Sequence, residues 1–384
     1  MDEVFHPLQL TRAASLNRTP LADLPGAEQR LVGRRAFDVL RLEALHSLAA
    51  EHGILADRRT EVPRRLRAAL GSADSAEANR AQEVVAEFGR RLGHLVATLR
   101  LGADDSSEWR TAYADAAPWR AAYRRHWRSV ERVWLGGGVV AALGNDLLQA
   151  ARAEAGRLGV DAARAARRQL GVDAARADRR QLGRDDSTLN AAPHADVLAL
   201  LGAARTRATP APRAIVLDFG YSSVKRGIAH FSQGGALQRL DVLRGLPLAS
   251  IGLGGQATGD QVMHAVVGVI RAIFQAAQDD DEPFDADVSV SLATYLTERQ
   301  PLPSSELYDL LTDVDFATLA AELRRVTGAP LHVRYIHDGT AAAAALDTTG
   351  RDGIIVVGTS LGAGFTMPDQ ARLPIAGDLE IIHH

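Results

Sequence analysis

The first third of the chain carries apolar residues at three- and four-residue spacing. The pattern runs from about Glu28 to Val130 and is clearest in AFDVLRLEALHSLAAEHGIL and AQEVVAEFGRRLGHLVATLRLG. Such spacing predicts amphipathic helices, each of which buries one face against a neighbour. At Arg132 the pattern changes to RVWLGGGVVAAL, which predicts a short buried strand, a glycine turn and then a helix. This turn is the first candidate ligand loop.

A different pattern begins after the proline-rich stretch TRATPAPRA at 206–214, which predicts a linker between a lobe at 1–205 and a lobe at 215–384. Short apolar runs predict strands in AIVLDFG, YSSVKRGIAHF, ADVSVSLAT, PLHVRYI and GIIVVGTS, and a longer periodic run predicts a helix in QVMHAVVGVIRAIFQAAQ. Alternation of this kind predicts a mixed α/β sheet. A twelve-residue repeat at 159–170 and 171–182 is interpreted as a duplication within a surface helix.

The amino-acid composition excludes several classes of protein. The 384 residues, 46% of them hydrophobic, are enough for a large two-lobed protein. With 47 acidic and 44 basic side chains there is no overall field to attract nucleic acid. No apolar run approaches the roughly 20 residues of a membrane span, so we expect no membrane association and a cytoplasmic location. The absence of cysteine excludes disulfides and thiolate zinc sites.

The segment IVLDFGYSSVK is a candidate phosphate loop. It places Asp218 at the end of a buried strand, Gly220 in a tight turn, and Ser222 and Lys225 just beyond. Backbone amides and a hydroxyl in such a turn can bind a phosphate, and the aspartate can hold Mg²⁺ through water. Lys225 is the only lysine among the 44 basic residues, which modestly supports a special role. Taken alone, a strand that ends in Asp-x-Gly is more often a plain hairpin.

Two further segments complete this group of motifs. IIVVGTSLGAGF contains small residues that let a second phosphate approach the backbone closely, namely Gly358, Thr359, Ser360 and Gly362. VRYIHDGTAAAAAL places Asp338 between a strand and an alanine-rich helix start. A carboxylate there can accept a proton from a hydroxyl that attacks a γ-phosphate, but it can equally serve as the cap of the helix.

These motifs resemble those of the ROK (repressor, open reading frame, kinase) branch of the hexokinase and actin-like ATPase superfamily. The family's first phosphate motif, Asp-x-Gly-x-Thr/Ser-x-x-Lys, is matched by Asp218, Gly220, Ser222 and Lys225. The catalytic Asn-Asp-x-Asn segment is matched in part by His337, Asp338, Gly339 and Thr340, and the second phosphate motif by 358–364. The resemblance implies a two-lobed actin-like ATPase fold of the ribonuclease H-like class.

The order of the motifs differs from that of the family. The family's adenosine-binding turn follows the phosphate motifs, whereas the similar WLGGGVVAAL, with Gly136, Gly137 and Gly138, precedes them here. HADVLALLGAA resembles the family's closing helix, and LPIAGDLEIIHH resembles a segment that would continue into the helices now found at the start. The simplest interpretation is a circular permutation that leaves the lobes in swapped order.

The resemblance also implies a substrate site. His337 and Thr340 occupy the positions of the family's asparagines, and Asp378 occupies that of its sugar-contacting glutamate. The residues carried over as substrate-binding are His337, Thr340, Gly377, Asp378 and Glu380. The family's histidine is replaced by Ile381, so a typical glucose site is not expected.

The resemblance implies an ATP-dependent kinase that transfers the γ-phosphate to a hydroxyl of a sugar or sugar-like small molecule. Asp338 would be the general base, Asp218 would hold Mg²⁺, and the protein would form a homodimer. The alternative is a non-catalytic nucleotide- or sugar-binding regulator, because the family also contains repressors. No basic recognition helix precedes Glu28, so DNA binding is not expected.

Overall fold

The protein is described by a computed structural model, and most of the chain is covered. The described residues are 15–102, 116–170, 188–206, 212–253, 257–278, 287–294, 296, 307–311, 314, 316–329, 331–348, 350–367 and 371–384. The strands in chain order are β1 (Arg132–Gly136), β2 (Leu189–Ala191), β3 (Arg213–Phe219), β4 (Ser223–Phe231), β5 (Leu237–Pro247), β6 (Asp287–Leu292), β7 (His332–His337), β8 (Asp352–Val357), β9 (Leu361–Phe365) and β10 (Ile375–His383). The helices are α1 (Ala36–Leu40), α2 (Leu42–Glu51), α3 (Val62–Leu70), α4 (Ser75–Leu101), α5 (Ala116–Ser129), α6 (Gly138–Leu170), α7 (Leu198–Arg205), α8 (Gly259–Gln278), α9 (Phe316–Thr327) and α10 (Asp338–Ala344).

The chain divides into two compact units by its internal contacts. The first unit comprises Met1–Asp196 and Gly350–Phe365, and the second comprises Val197–Thr349 and Thr366–His384. These units differ from the predicted lobes 1–205 and 215–384, because residues 197–205 belong to the second unit and 350–365 to the first. The cause is strand pairing: β8 lies beside β1, which is more than 200 residues away in the chain.

The first unit combines a four-stranded sheet with helices. Its strand order is β2-β1-β8-β9, in which β2, β1 and β8 are parallel and β9 is antiparallel to β8. The predicted helices between Glu28 and Val130 are confirmed as α1 to α5. The Asp74 side chain accepts a hydrogen bond of 2.9 Å from the amide of Ala76 and so caps α4.

An ion pair between a buried aspartate and a partly exposed arginine joins the central strands of the first unit. The Asp352 carboxylate at the start of β8 is fully buried and lies 3.0 Å from a guanidinium nitrogen of Arg132 on β1. The same carboxylate accepts a hydrogen bond of 2.8 Å from the Trp134 indole N–H. Because both partners lie on β1, this carboxylate helps to fix the parallel register of β1 and β8.

The second unit contains a six-stranded mixed sheet of order β10-β5-β4-β3-β6-β7. Strands β3, β4 and β5 form an antiparallel meander, and β6 and β7 continue the sheet parallel to β3. Strand β10 adds to the other edge, parallel to β5. The strands predicted from AIVLDFG, YSSVKRGIAHF, ADVSVSLAT, PLHVRYI and GIIVVGTS are confirmed as β3, β4, β6, β7 and β8.

Helix α10 is held on several sides by residues of the second unit. A Cβ added to Gly202 of α7 would lie 1.6 Å from the carbonyl oxygen of Ala341, so only glycine permits this close approach. The buried Arg205 donates from Nη1 to the carbonyl oxygens of Ala344, Ala345 and Leu346 at 2.9–3.1 Å. Ala344 is the last residue of α10, and Ala345 and Leu346 follow it, so Arg205 satisfies carbonyls at the carboxyl end of the helix that have no partner within it. The close approach of Gly202 and the hydrogen bonds from Arg205 therefore fix the position of α10 within the second unit.

The predicted linker and the twelve-residue repeat are described only in part by the structure. Arg213 and Ala214 of the predicted linker 206–214 are buried in β3, while 207–211 lie outside the described residues. The first repeat copy, 159–170, lies in α6, and the second copy at 171–182 lies outside the described residues. Gly144 (φ 52, ψ −129) breaks the helical geometry of α6. Among the described residues, no helix combines the length and apolar character that a bilayer span requires.

Candidate active site

The candidate site of the second unit lies where three parallel strands end. Strands β3, β6 and β7 run in the same direction, and their register aligns Asp218 with Ser291 and Ser291 with Ile336. Asp338 follows β7 directly. Ligands of α/β sheets bind at the carboxyl ends of such strands. The two predicted carboxylates, Asp218 and Asp338, thus belong to the same edge of one sheet.

Asp218 is buried and surrounded by polar partners. Its residue is only 7% exposed, and Oδ1 accepts a hydrogen bond of 3.0 Å from the Ser291 hydroxyl. The Lys225 ammonium, directly opposite on β4, lies 3.6 Å from Oδ2. The lysine supplies positive charge beside this carboxylate, and the serine donates a hydrogen bond to it. The structure thus brings together Asp218 and Lys225, two residues of the candidate phosphate loop.

The turn between β3 and β4 is tight. The Gly220 amide lies 3.1 Å from the Ser223 carbonyl oxygen, and the Gly220 carbonyl oxygen accepts a hydrogen bond of 2.9 Å from the Tyr308 hydroxyl. Ser222 is exposed, and its carbonyl accepts a hydrogen bond of 3.2 Å from the Leu248 amide. The turn therefore presents the Ser222 side chain at the surface, next to the buried Asp218.

Asp338 does not cap α10 in the way considered from the sequence. The N-cap residue is His337, whose Nδ1 accepts a hydrogen bond of 3.2 Å from the Thr340 amide. Asp338 is the first helical residue, and its Oδ1 accepts a hydrogen bond of 2.6 Å from the Gly339 amide. Its side chain is 29% exposed. The capping role belongs to the histidine, and the aspartate remains accessible.

The hydrogen bond from the Thr340 amide to His337 Nδ1 also determines how the His337 ring interacts with Asp338. Because a backbone N–H donates to Nδ1, that nitrogen carries no proton, and the neutral ring carries its proton on Nε2. Nε2 lies 3.2 Å from Asp338 Oδ1 and so donates to it. His337 and Thr340 are both buried, and the Thr340 hydroxyl lies 3.3 Å from Nδ1. The predicted substrate-binding pair therefore orients Asp338 and supports the helix start.

Tyr308 contacts the β3–β4 turn through its hydrogen bond to Gly220 and was not predicted as a site residue. It is fully buried on a short 3-10 helix, Leu307–Leu311. Burial raises the pKa of its hydroxyl far above the usual range, and the negative charges of Asp218 and Asp338 raise it further. Ser291 was missed as well. The only sequence signal for Ser291 was a serine within an apolar strand, and no motif surrounds Tyr308.

The glycine turn of the first unit has the predicted strand–turn–helix setting between β1 and α6. Gly137 has φ +94, and an added Cβ would lie 2.3 Å from the Val357 carbonyl oxygen. Only glycine fits there. A Cβ on Gly138 would meet nothing within 4 Å. Gly136 ends β1 opposite Val356, so this turn lies next to the end of β8.

The second predicted phosphate turn is the connection between β8 and β9. Val357 pairs with Leu361, and Gly358, Thr359 and Ser360 form the turn. The Gly358 amide donates to the Ser360 carbonyl at 3.1 Å, and the Gly358 carbonyl accepts from the Leu42 amide at 2.9 Å. The Thr359 and Ser360 amides make no hydrogen bond to another described residue. Gly362 lies within β9, opposite Val356.

Asn17 fixes this turn from outside. Its side-chain amide donates to the Leu361 carbonyl at 3.0 Å and accepts from the Leu361 amide at 2.8 Å. This residue was not predicted, because it lies more than 300 positions away in the chain. The glycine turn and the β8–β9 turn are thus adjacent parts of the first unit, and the two carboxylates belong to the second.

The predicted substrate residues Gly377, Asp378 and Glu380 do not lie near Asp338. They are exposed on β10, at the opposite edge of the sheet from β7. Five strand spacings separate the two edges, about 24 Å. Register places Glu380 opposite Arg239, which pairs with His230 and then with Arg213 at the amino end of β3. Strand pairing therefore directs these three residues to the other end of the sheet, away from Asp338.

Asp218 suits a magnesium ion only as part of a larger set of ligands. No cluster of three or more histidine, aspartate or glutamate ligands occurs within the described ranges. Mg²⁺ in nucleotide enzymes is commonly held by one or two carboxylates, water and the phosphates themselves. A single buried carboxylate at the carboxyl edge fits that pattern. The residue expected to contribute is Asp218, through water.

In comparisons with known proteins, the chain matches no protein-family model and no curated protein. The geometry of the two units is therefore the basis for functional inference.

Proposed function

We propose that the protein is an ATP-dependent kinase that transfers the γ-phosphate to a hydroxyl of a sugar or sugar-like small molecule. The observation that carries this proposal is the convergence of Asp218 and Asp338 at one sheet edge, where the charges of both act on Tyr308. The resemblance of the phosphate motifs supports it, as does the presence of two α/β units that fit a two-lobed actin-like ATPase fold.

Asp338 has the features of a general base. It is accessible, and His337 and the Gly339 amide orient its carboxylate through hydrogen bonds to Oδ1. In the proposed step, Asp338 accepts the proton of the substrate hydroxyl while the hydroxyl oxygen bonds to the γ-phosphorus. The bond between that phosphorus and the bridging oxygen breaks, and ADP leaves.

Asp218, Lys225 and the Gly220 turn are assigned to the phosphates in this proposal. Mg²⁺, held by Asp218 through water, would neutralise charge on the phosphates. Lys225 adds a positive charge at the same place. The glycines 136–138 are assigned to adenosine contact and the β8–β9 turn to phosphate contact, on the basis of the motif resemblance. The amides of Thr359 and Ser360 are the donors that this turn offers.

The test is phosphate transfer from Mg-ATP across a panel of hexoses, amino sugars, polyols and aminocyclitols. Asp338→Asn is expected to lower kcat about 10²- to 10⁴-fold, the usual contribution of a general base. Asp287→Asn is the matched control, because it makes the same change at the amino end of β6, away from the carboxyl edge. It is expected to leave kcat unchanged.

Other outcomes distinguish the alternatives. ATP binding without transfer to any member of the panel would favour the non-catalytic regulator, which the displacement of Asp378 and Glu380 from Asp338 makes a real alternative. If calorimetry detects no ATP binding, the nucleotide assignment is wrong.

A further inference from the structure

The 3-10 helix Leu307–Leu311 contacts the ends of two neighbouring strands through consecutive side chains. The first is Tyr308, whose hydroxyl donates to the Gly220 carbonyl at 2.9 Å. Its ring packs edge-on against Phe219, the last residue of β3, with centroids 6.1 Å apart and an interplanar angle of 83°. The tyrosine therefore holds the β3–β4 turn through both a hydrogen bond and a ring contact.

The second side chain is Asp309. Its Oδ1 accepts a hydrogen bond of 2.5 Å from the Thr294 hydroxyl, and both residues are buried. Thr294 follows β6 by two residues, and the Ala293 amide before it donates to the Phe219 carbonyl at 3.0 Å. The 3-10 helix is thus attached to the end of β6 as well as to the turn after β3.

We infer that Tyr308 and Asp309 form a clamp that sets the position of the Gly220 turn for phosphate binding. The inference rests on the proposed function and adds to it positioning residues outside every motif. The Gly220 carbonyl is the group that the clamp holds, and Asp218 lies two residues before it. A shift of this turn would move the amides and the Ser222 hydroxyl that are assigned to the phosphates.

The surroundings of Tyr308 keep its hydroxyl a hydrogen-bond donor. The Tyr308 side chain is buried, and burial keeps the phenol protonated by raising its pKa. The Gly220 carbonyl, on a half-buried residue, would lose this partner if the hydroxyl were removed. The turn is therefore expected to adjust when Tyr308 is changed.

Tyr308→Phe removes only the hydroxyl, and Tyr335→Phe is the matched control. Tyr335 lies on β7, packs partly buried against the same core and has no assigned role at the site. We expect Tyr308→Phe to lower kcat and the affinity for Mg-ATP roughly three- to tenfold, which corresponds to one hydrogen bond. Adenosine affinity, measured by calorimetry, should stay at the wild-type value.

Thr294→Val provides an independent test of the second attachment. It keeps the shape of the side chain but removes the donor to Asp309, and it should lower Mg-ATP affinity in the same direction without changing adenosine affinity. If the wild-type protein binds ATP but Tyr308→Phe and Thr294→Val both behave like Tyr335→Phe, the clamp is wrong and the kinase proposal stands. If the wild-type protein binds no ATP, both proposals fall.

Discussion

The two turns predicted to bind phosphate are built in different ways. In the second unit, the β3–β4 turn lies among ionisable side chains, with Asp218 and Lys225 3.6 Å apart and Asp338 at the same sheet edge. In the first unit, the β8–β9 turn contains no ionisable residue and is held by Asn17 and by the Leu42 amide. The second unit therefore has ionisable side chains at its turn, whereas the turn of the first unit offers backbone amides.

This contrast predicts that the two units respond to different kinds of substitution. The first unit should respond to changes in backbone space, because Gly137 lies against Val357 at the base of its turn. The second unit should respond to the loss of charge or of a hydrogen bond, as in the Asp338 and Tyr308 experiments. All four tryptophans fall within 1–196, so their fluorescence reports on the first unit selectively.

The largest effect on stability is expected from Gly137→Ala. The added Cβ would lie 2.3 Å from the Val357 carbonyl oxygen at a backbone φ of +94, which alanine rarely adopts. We expect the first unit to lose about 3 kcal/mol or more of unfolding free energy, as measured by urea unfolding with tryptophan fluorescence.

Gly138→Ala is the control for this prediction. Its Cβ has open space and its φ is ordinary, so the unfolding free energy should change by no more than about 0.5 kcal/mol. An equal loss in both variants would show that the close approach of Gly137 to Val357 is not what constrains this turn. A normal stability with weaker adenosine binding would support the assignment of Gly138 to the nucleotide.

A loss of unfolding free energy of similar size is expected in the first unit when the pH is lowered. The His126 ring lies 4.2 Å from the Phe365 ring of β9, and burial, together with the charge of Arg351, lowers the pKa of His126 to about 4. The unfolded chain, with an ordinary pKa of about 6.5, binds the proton more readily. The contribution of the neutral ring is therefore full above pH 6.5 and is lost as the pH falls toward 4, by about 3 kcal/mol.

The measurement is the unfolding free energy between pH 7 and pH 4, followed by tryptophan fluorescence. His126→Gln should lose this part of the pH dependence, because glutamine does not titrate. If the variant and the wild-type protein lose stability in parallel over this range, the histidine is not the group responsible.

The smallest effect is expected from Asp378→Asn and Glu380→Gln. Both residues lie on β10, at the far edge of the sheet from Asp338, so each variant should keep kcat/KM within about twofold of the wild-type value. The assay is the same phosphate transfer that tests Asp338→Asn. A loss of tenfold or more in either variant would restore the substrate role that the resemblance implied.

The local parts of the site could be predicted from the sequence. Apolar runs that end in Asp-x-Gly or in His-Asp-Gly predicted where β3 and β7 stop, and the structure places Asp218 and Asp338 there. The glycine turn after β1 was predicted in the same way. These features depend on residues that are close together in the chain, so their hydrophobic pattern and turn residues are enough to define them.

Other parts depend on strand pairing and could not be predicted. The pairing of β10 with β5 moved Glu380 away from Asp338, and the pairing of β8 with β1 placed the β8–β9 turn in the first unit. Tyr308 and Asn17 act through hydrogen bonds across 88 and 344 positions of the chain, and no local pattern marks them.

Because propensity and periodicity are properties of short segments, the sequence by itself determined most of the strands and helices and the two carboxylates, but not β2, β5 and β10. Only the tertiary structure decided which strand ends meet, which residue caps α10 and which distant side chains hold each turn. The physical reason is that burial and hydrogen bonding depend on neighbours in space. The local sequence around one residue of a hydrogen-bonded pair does not identify the other residue.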